Sequence, residues 1–229
     1  KRKLGVVTQE INFSPFEKVE DIVITQAGFY GISASQAKSK TETTLKRLGL
    51  WEKRFEQARN LSGGLKRRLM IAKALIHDPE LLILDEPTAG VDIELRREMW
   101  DFISEINNQG TTIILTTHYL EEAEQLCKNI AIIDKGKIVE NTSMKELLSK
   151  LDVQSFVLDL SQPLKNLPSI AEYTMKLSDP STLVVAIEKN KSINEFFAEL
   201  SNLGISVKSM RNESNRLEEL FMEIVKSND

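Results

Sequence analysis

Three short stretches carry residues suited to handling an anion and a cation together. LLILDE, residues 81–86, ends a continuous apolar run in two adjacent carboxylates, Asp85 and Glu86. Such a pair at the end of a buried strand is costly unless it holds a cation or activates a water. One division of labour gives Asp85 the shell of a Mg2+ ion and Glu86 the orientation or deprotonation of an attacking water. The plainer alternative is a pair of turn or helix-capping acids. A second apolar run, TTIILTT at 111–117, is followed at once by His118, at the sheet edge where α/β proteins bind ligands. Taken alone, a histidine there is more often structural than catalytic. The third stretch is LSGG, residues 61–64. A Ser-Gly-Gly turn opening a helix offers unpaired backbone N–H groups, a hydroxyl and the positive end of the helix dipole, with no side chain to obstruct an anion. The same residues also read as a serine N-cap with two turn glycines. The other histidine, His77, ends a helix beside Asp78-Pro79 and is given no role.

The elements that position these residues are legible as changes of period. Residues 17–60 read as a helical insert, with apolar residues at 19, 22, 23 and 27 and helix-forming residues up to Leu48. Leu65, Leu69, Ala72 and Ile76 recur at helical spacing until His77-Asp78-Pro79, which sets LSGG at a helix N-terminus. LLILD predicts a buried strand, about 93–108 a helix ending before Gly110, TTIILTT a strand, HYLEEAEQLC a helix, and NIAIIDKGKIVE two strands around a Lys135-Gly136 turn. This alternation is that of an α/β sheet. Ser143 and Glu146 predict a capping box for a short helix ending near Leu151, and Ser192 with Glu195 a second box. SFVLDL, TLVVAIE and ISVKSM predict strands, RLEELFMEIV a closing helix, and QPLKNLP and SDPS loops.

Composition limits the function. The 229 residues carry a formal charge of −4, which argues against a protein built for non-specific nucleic-acid binding, so no nucleic-acid partner is expected. Cys127 is the single cysteine, so no intramolecular disulfide and no cysteine metal site can form. The opening KRKLGVVTQEINF is basic and briefly apolar, too short a run for a signal peptide. LLIL and TIIL fall far short of the ~20 residues that span a bilayer.

Gln9, LSGGLKRR, LLILDEP, AGVD and TTH, in this order and at these separations, resemble the Q-loop, signature, Walker B, D-loop and H-loop of an ATP-binding cassette domain. The phrases PFEKVEDIVITQAGFYG, LDEPTAGVDIELRREMW and TTHYLEEAE resemble the drug-exporter type of cassette, and RNESNRLEELF at 211–221 extends the resemblance to nearly the whole chain. It implies an α/β fold: residues 1–151 as the C-terminal part of an ABC nucleotide-binding domain, with a helical subdomain at about 17–78, and 152–229 as a small α/β extension. It implies ATP and Mg2+ as ligands. Gln9 would sense the metal and the membrane partner, Asp85 would hold the metal through water, Glu86 would act as catalytic base, and His118 would contact the γ-phosphate. Ser62, Gly63 and Gly64 would embrace the γ-phosphate of ATP held by a second copy, and Asp92 would tie the two sites together across a homodimer. The implied partner is a separate transmembrane permease subunit, and the implied place is the cytoplasmic face of the inner membrane.

Two departures from the family pattern stand out. Leu65 occupies a position where many members carry Gln, and an apolar residue there is expected to face the core. More seriously, no GxxxxGK[ST] loop occurs in the sequence, and Gln9 lies near its start. The Walker A segment is therefore expected to precede these residues in an intact member, and this piece alone is expected to be inactive. The competing expectation is a non-catalytic module that lends its signature turn to another cassette or docks on a membrane subunit. Phe13, Phe16, Phe29 and Tyr30 either offer a groove to a helix of the membrane subunit or pack their own subdomain.

Overall fold

The computed structural model describes residues 3–151, 153–170 and 172–213, together with Leu217, Glu218, Leu220, Phe221 and Ile224. They form an α/β protein that divides into two compact units, residues 1–126 and 127–229. The sequence expectation draws its boundary after 151; the packing groups the hairpin that begins at Asn129 with the C-terminal unit.

In the first unit β1 (Leu4–Val7), β2 (Leu81–Asp85) and β3 (Thr112–Thr116) lie side by side and parallel, with β2 central. Val7, Leu82 and Leu84 are fully buried in one core with Leu69 and Ile71 of α3 (Gly63–Leu75) and Met99 and Ile103 of α4 (Ile93–Asn108). Each such leucine contributes about 1.5–3 kcal/mol relative to leaving it in water. The register sets Val6, Ile83 and Ile114 in a row on the other side of the pleat, where Val6 and Ile114 are 46% and 49% exposed. β1 was not expected, because LGVV is only four residues long with a glycine inside it.

The helical insert holds α1 (Val19–Phe29) and α2 (Ala34–Arg47), followed by two short 3-10 turns. α1 buries Val19, Ile22, Val23 and Ala27, a stripe at helical spacing. Its start is held by backbone bonds from Val19 and Glu20 N–H to the carbonyls of Glu56 (3.1 Å) and Arg54 (3.0 Å). α2 buries Ala37, Thr41 and Leu45, four residues apart. α5 (Leu120–Leu126) completes the unit.

The second unit opens with the expected hairpin of β4 (Asn129–Asp134) and β5 (Lys137–Ser143), turned by Lys135 and Gly136 at φ 47° and 76°. Two left-handed positions in succession match the strands' twist, and glycine takes the second without strain. α6 (Met144–Leu148) carries the expected capping box of Ser143 and Glu146. A four-stranded antiparallel sheet follows, ordered β7-β8-β6-β9: β6 (Val153–Leu160), β7 (Thr174–Asp179), β8 (Thr182–Glu188) and β9 (Val207–Asn212). Phe156, Leu158, Leu183 and Val185 of this sheet pack with Phe196 and Leu200 of α7 (Ile193–Asn202). β7 was not expected, and only its last two residues fall in the expected SDPS loop; its Met175 and Leu177 alternate toward that core, and Asp179 Oδ1 accepts the Ser181 N–H at 2.8 Å to close the turn into β8. Ser192 sits at the N-cap of α7, but its side chain makes no capping bond among the described residues, which corrects the expected box with Glu195. Its ψ of 125° falls short of the 149° at Ser143, where the box forms. Of the expected closing helix, Leu217, Glu218, Leu220, Phe221 and Ile224 are helical; its other residues lie outside the described set.

Candidate active site

Asp85 is the last residue of β2 and pairs in register with Thr116, whose hydroxyl donates to Asp85 Oδ1. The next residue, Glu86, has φ 50°, a conformation that non-glycine residues adopt at a cost of about 1–3 kcal/mol. Its N–H donates to the Thr116 carbonyl at 3.0 Å, and its carbonyl accepts from the Ala89 N–H at 3.2 Å. This turn swings the Glu86 side chain toward the end of β3. There Nδ1 of His118 lies 2.5 Å from Glu86 Oε2, although Oε2, a buried atom, has no aligned hydrogen bond among the described residues. The His118 side chain is 60% exposed and leans on Tyr119, with ring centroids 4.0 Å apart. A half-sequestered carboxylate beside an open imidazole can take a proton from a water and can point donors at an oxyanion.

One further group binds this arrangement together, and sequence reasoning missed it. Arg67, on α3 and only 7% exposed, donates from Nε to the Pro87 carbonyl (3.0 Å) and from Nη1 to the carbonyls of Thr8 (2.7 Å) and Gln9 (3.0 Å). Its Nη2 donates to the carbonyls of Glu86 and, at 3.4 Å, Asp85. Burial pulls its pKa down from the usual arginine value, while Asp85, Glu86 and Glu122 push it back up. A signal existed in the sequence: Arg67 falls three residues after Gly64 and four before Ile71, on the inward face of α3. Gln9 itself is exposed, and its backbone meets the carboxylate turn through this guanidinium.

The Ser-Gly-Gly turn opens α3 as expected. Ser62 is the N-cap and accepts the Leu65 N–H at 3.4 Å, longer than an ordinary bond. Gly64 is buried, and a Cβ there would stand 1.8 Å from Leu95 Cδ2, so any side chain at this position displaces Leu95. Gly63 differs. It is exposed, its φ lies outside the left-handed region, and a Cβ would meet nothing within 4 Å. Neither backbone nor packing among the described residues explains the missing side chain. Asp92 caps α4, accepting the Leu95 N–H at 2.9 Å, and so stands beside the same leucine that covers Gly64. Leu65 packs against the core, as its apolar character implied.

A second buried polar knot lies behind these loops. Glu122 of α5, 0% exposed, accepts at Oε1 from Thr88 Oγ1 (2.9 Å) and Trp100 Nε1 (3.0 Å). It thereby ties the turn after Glu86 and helix α4 to the helix that follows His118. The insert's aromatics divide. Phe13 packs on the core and Tyr30 stacks on His77 at 3.7 Å, whereas Phe16 and Phe29 are exposed.

Residues 1–89 match the profile of the ABC transporter family. The linearmycin resistance ATP-binding protein LnrL of Bacillus subtilis is 31% identical over 232 residues, an alignment covering 98% of this chain and 75% of that protein. The chain belongs to the ABC transporter ATP-binding protein family. The Nod factor export ATP-binding protein I of Cupriavidus metallidurans is 38% identical over 177 residues, spanning 75% of this cassette chain and 58% of the relative. A solved structure described as the ATP binding subunit of an ABC transporter shares the fold, with a TM-score of 0.58 and 23% identity over 65% of this chain and 62% of that one. Members of the family are ATPases that bind ATP with Mg2+, dimerise and work with transmembrane subunits.

The cassette's donors fit that metal. Among the described residues no group of three or more His, Cys, Asp or Glu is placed to hold an ion. Asp85, the last residue of β2, supplies a carboxylate that suits Mg2+, an ion commonly held by one or two carboxylates and completed by phosphate oxygens and water. Among the described residues no helix is long and apolar enough to cross a membrane.

Proposed function

We propose that this chain is the ATP-binding and ATP-hydrolysing part of an exporter, driving a separate transmembrane permease from the cytoplasmic face of the inner membrane. The observation that carries this reading is the placing of Glu86 Oε2 2.5 Å from His118 Nδ1, at the C-terminal ends of adjacent parallel strands. Asp85 would hold Mg2+, which would neutralise charge on the transferring phosphate, Glu86 would orient and deprotonate the attacking water, and His118 would contact the γ-phosphate. Gln9 senses the metal and the permease. In a homodimer the bare turn of Ser62, Gly63 and Gly64 closes on the γ-phosphate bound by the partner copy, and Asp92 links the two sites. The names of the relatives, a linearmycin resistance protein and a Nod factor export protein, support export, and the C-terminal RNESNRLEELF, which resembles that of the YadG cassette, supports the drug-exporter type. No GxxxxGK[ST] run lies within the 229 residues, so they do not by themselves cradle the β- and γ-phosphates, and turnover belongs to an assembly that includes such a loop. The domain reading, residues 1–151 as cassette and 152–229 as an appended α/β module, is part of this proposal.

The test is Glu86→Gln in the full-length protein. Turnover is expected to fall by about 10²–10⁴-fold while nucleotide-bound dimers persist in size-exclusion chromatography. Hydrolysis at the wild-type rate refutes the role of Glu86. The missing phosphate loop favours a second reading, a non-catalytic module that lends its Ser-Gly-Gly turn to a complete cassette. Asp85, Glu86 and His118 together speak against it, since such a module has no chemical need of all three. Failure of the chain to associate with a complete cassette removes that reading.

A further inference from the structure

We propose that Arg67 is a positioning residue for hydrolysis, locking the Gln9 turn and the Glu86 carboxylate to each other and to the helix opened by Ser62-Gly63-Gly64. The proposal rests on the reading of Glu86 as the residue that activates water.

Arginine has five N–H donors in one rigid plane. Here they meet five main-chain carbonyls: Thr8 and Gln9 after β1, Asp85 at the end of β2, and Glu86 and Pro87 after it. No packing need demands a charge at this position. The rest of the buried face of α3, including Gly64, Met70 and Ile71, is small or apolar, and a leucine would be buried there without desolvating a cation. What an apolar residue cannot do is hold carbonyls. Two of the five belong to the turn that carries Gln9, which is exposed to whatever docks on it. Another is the carbonyl of Glu86, whose left-handed backbone aims the carboxylate at His118. Because the guanidinium is planar and stiff, the Gln9 turn cannot move relative to Glu86 without breaking bonds at Nη1 or Nη2. The guanidinium also rides on the helix whose first turn carries Gly63. A displacement of that turn by the partner copy is thus conveyed to the same five carbonyls.

The test is steady-state ATP turnover by the full-length protein in Arg67→Lys, with its three donors, and Arg67→Gln, neutral with two. Both are measured beside Glu86→Gln, well below each variant's thermal midpoint. The expected result is a fall in kcat of roughly 10- to 100-fold with KM for ATP held within about 2-fold, milder for Lys than for Gln. A merely structural role lowers the midpoint but leaves kcat of the folded protein intact. If both variants keep wild-type kcat while Glu86→Gln is dead, the role of Arg67 is overturned and that of Glu86 stands. If Glu86→Gln turns over normally, the reading of Glu86 falls and the proposal with it. Failure of both Arg67 variants to fold would make Arg67 a structural charge and also overturn the proposal.

Discussion

Replacing Gly63 by alanine separates what the fold wants at that position from what a ligand wants. An alanine Cβ there meets nothing within 4 Å, and the backbone is not left-handed, so the folded chain accepts the methyl without strain. Glycine to alanine at such a site restricts the unfolded chain and stabilises by about 0.4–1 kcal/mol. With 1 kcal/mol worth about 2–4 °C in a protein of this size, the thermal transition of the first unit is expected to rise by about 1–4 °C. Activity should move the other way. A phosphate oxygen accepting the Gly63 N–H approaches within van der Waals reach of that methyl, and loss of one such donor contact lowers kcat by about 10²–10³-fold. Gly28, near the end of α1, is the control: it is equally open and not left-handed, and it lies outside the proposed site. Gly28→Ala should give the same thermal gain with unchanged turnover. The assay is ATP hydrolysis by the full-length dimer alongside calorimetry. A Gly63→Ala enzyme that is stabilised and fully active, or a Gly28→Ala enzyme that loses as much, refutes the reasoning.

Trp100→Phe keeps the ring of α4 and removes one of the two donors to the buried Glu122 carboxylate, so the urea midpoint should report a loss of about 1–3 kcal/mol; no change means the bond contributes nothing. Burial lowers the His77 pKa below its usual 6.5, so the unfolded chain binds the extra proton. This contribution is complete above about 6.5 and is lost as pH falls through the lower folded value, so stability of the first unit should drop on acidification. His77→Phe, which can keep the stack on Tyr30, should flatten that slope, and identical slopes in both proteins would count against it. In the second unit Ser143→Ala should cost about 1 kcal/mol in thermal or urea unfolding while Ser192→Ala costs a few tenths at most, because only Ser143 makes its cap; equal losses contradict the geometry.

Much of the site was legible because its chemistry sits on contiguous residues. Asp85 and Glu86 follow an apolar strand, His118 follows another, and LSGG opens a periodic helix, so period and punctuation alone placed them. Arg67 was not read, although its inward position could be counted from Gly64 and Ile71, because its partners are backbone carbonyls that leave no mark on the sequence. Glu122 hid in a run of glutamates, where helical phase alone does not single out the buried one. β1 escaped because it is four residues long with a glycine inside it, and β7 because Thr174 is its one β-branched residue; in both, a neighbouring strand supplies register. The Ser192 box failed for the opposite reason: the right residues were present, and the hydrogen bonds were not.

The row of Val6, Ile83 and Ile114 on the pleat of the first unit bears on how the 229-residue chain behaves in a test tube. A parallel sheet is ordinarily covered on both faces, and apolar side chains left open in register invite self-association. LLIL and TIIL are also strand-forming, uncharged windows of the kind that drive inclusion-body formation. Bacterial expression of this chain is therefore expected to yield precipitate at concentrations where a cassette covered on both faces stays in solution. Threonine at Ile114, which points away from the core and is half exposed, is the substitution that should recover solubility at least cost to the fold.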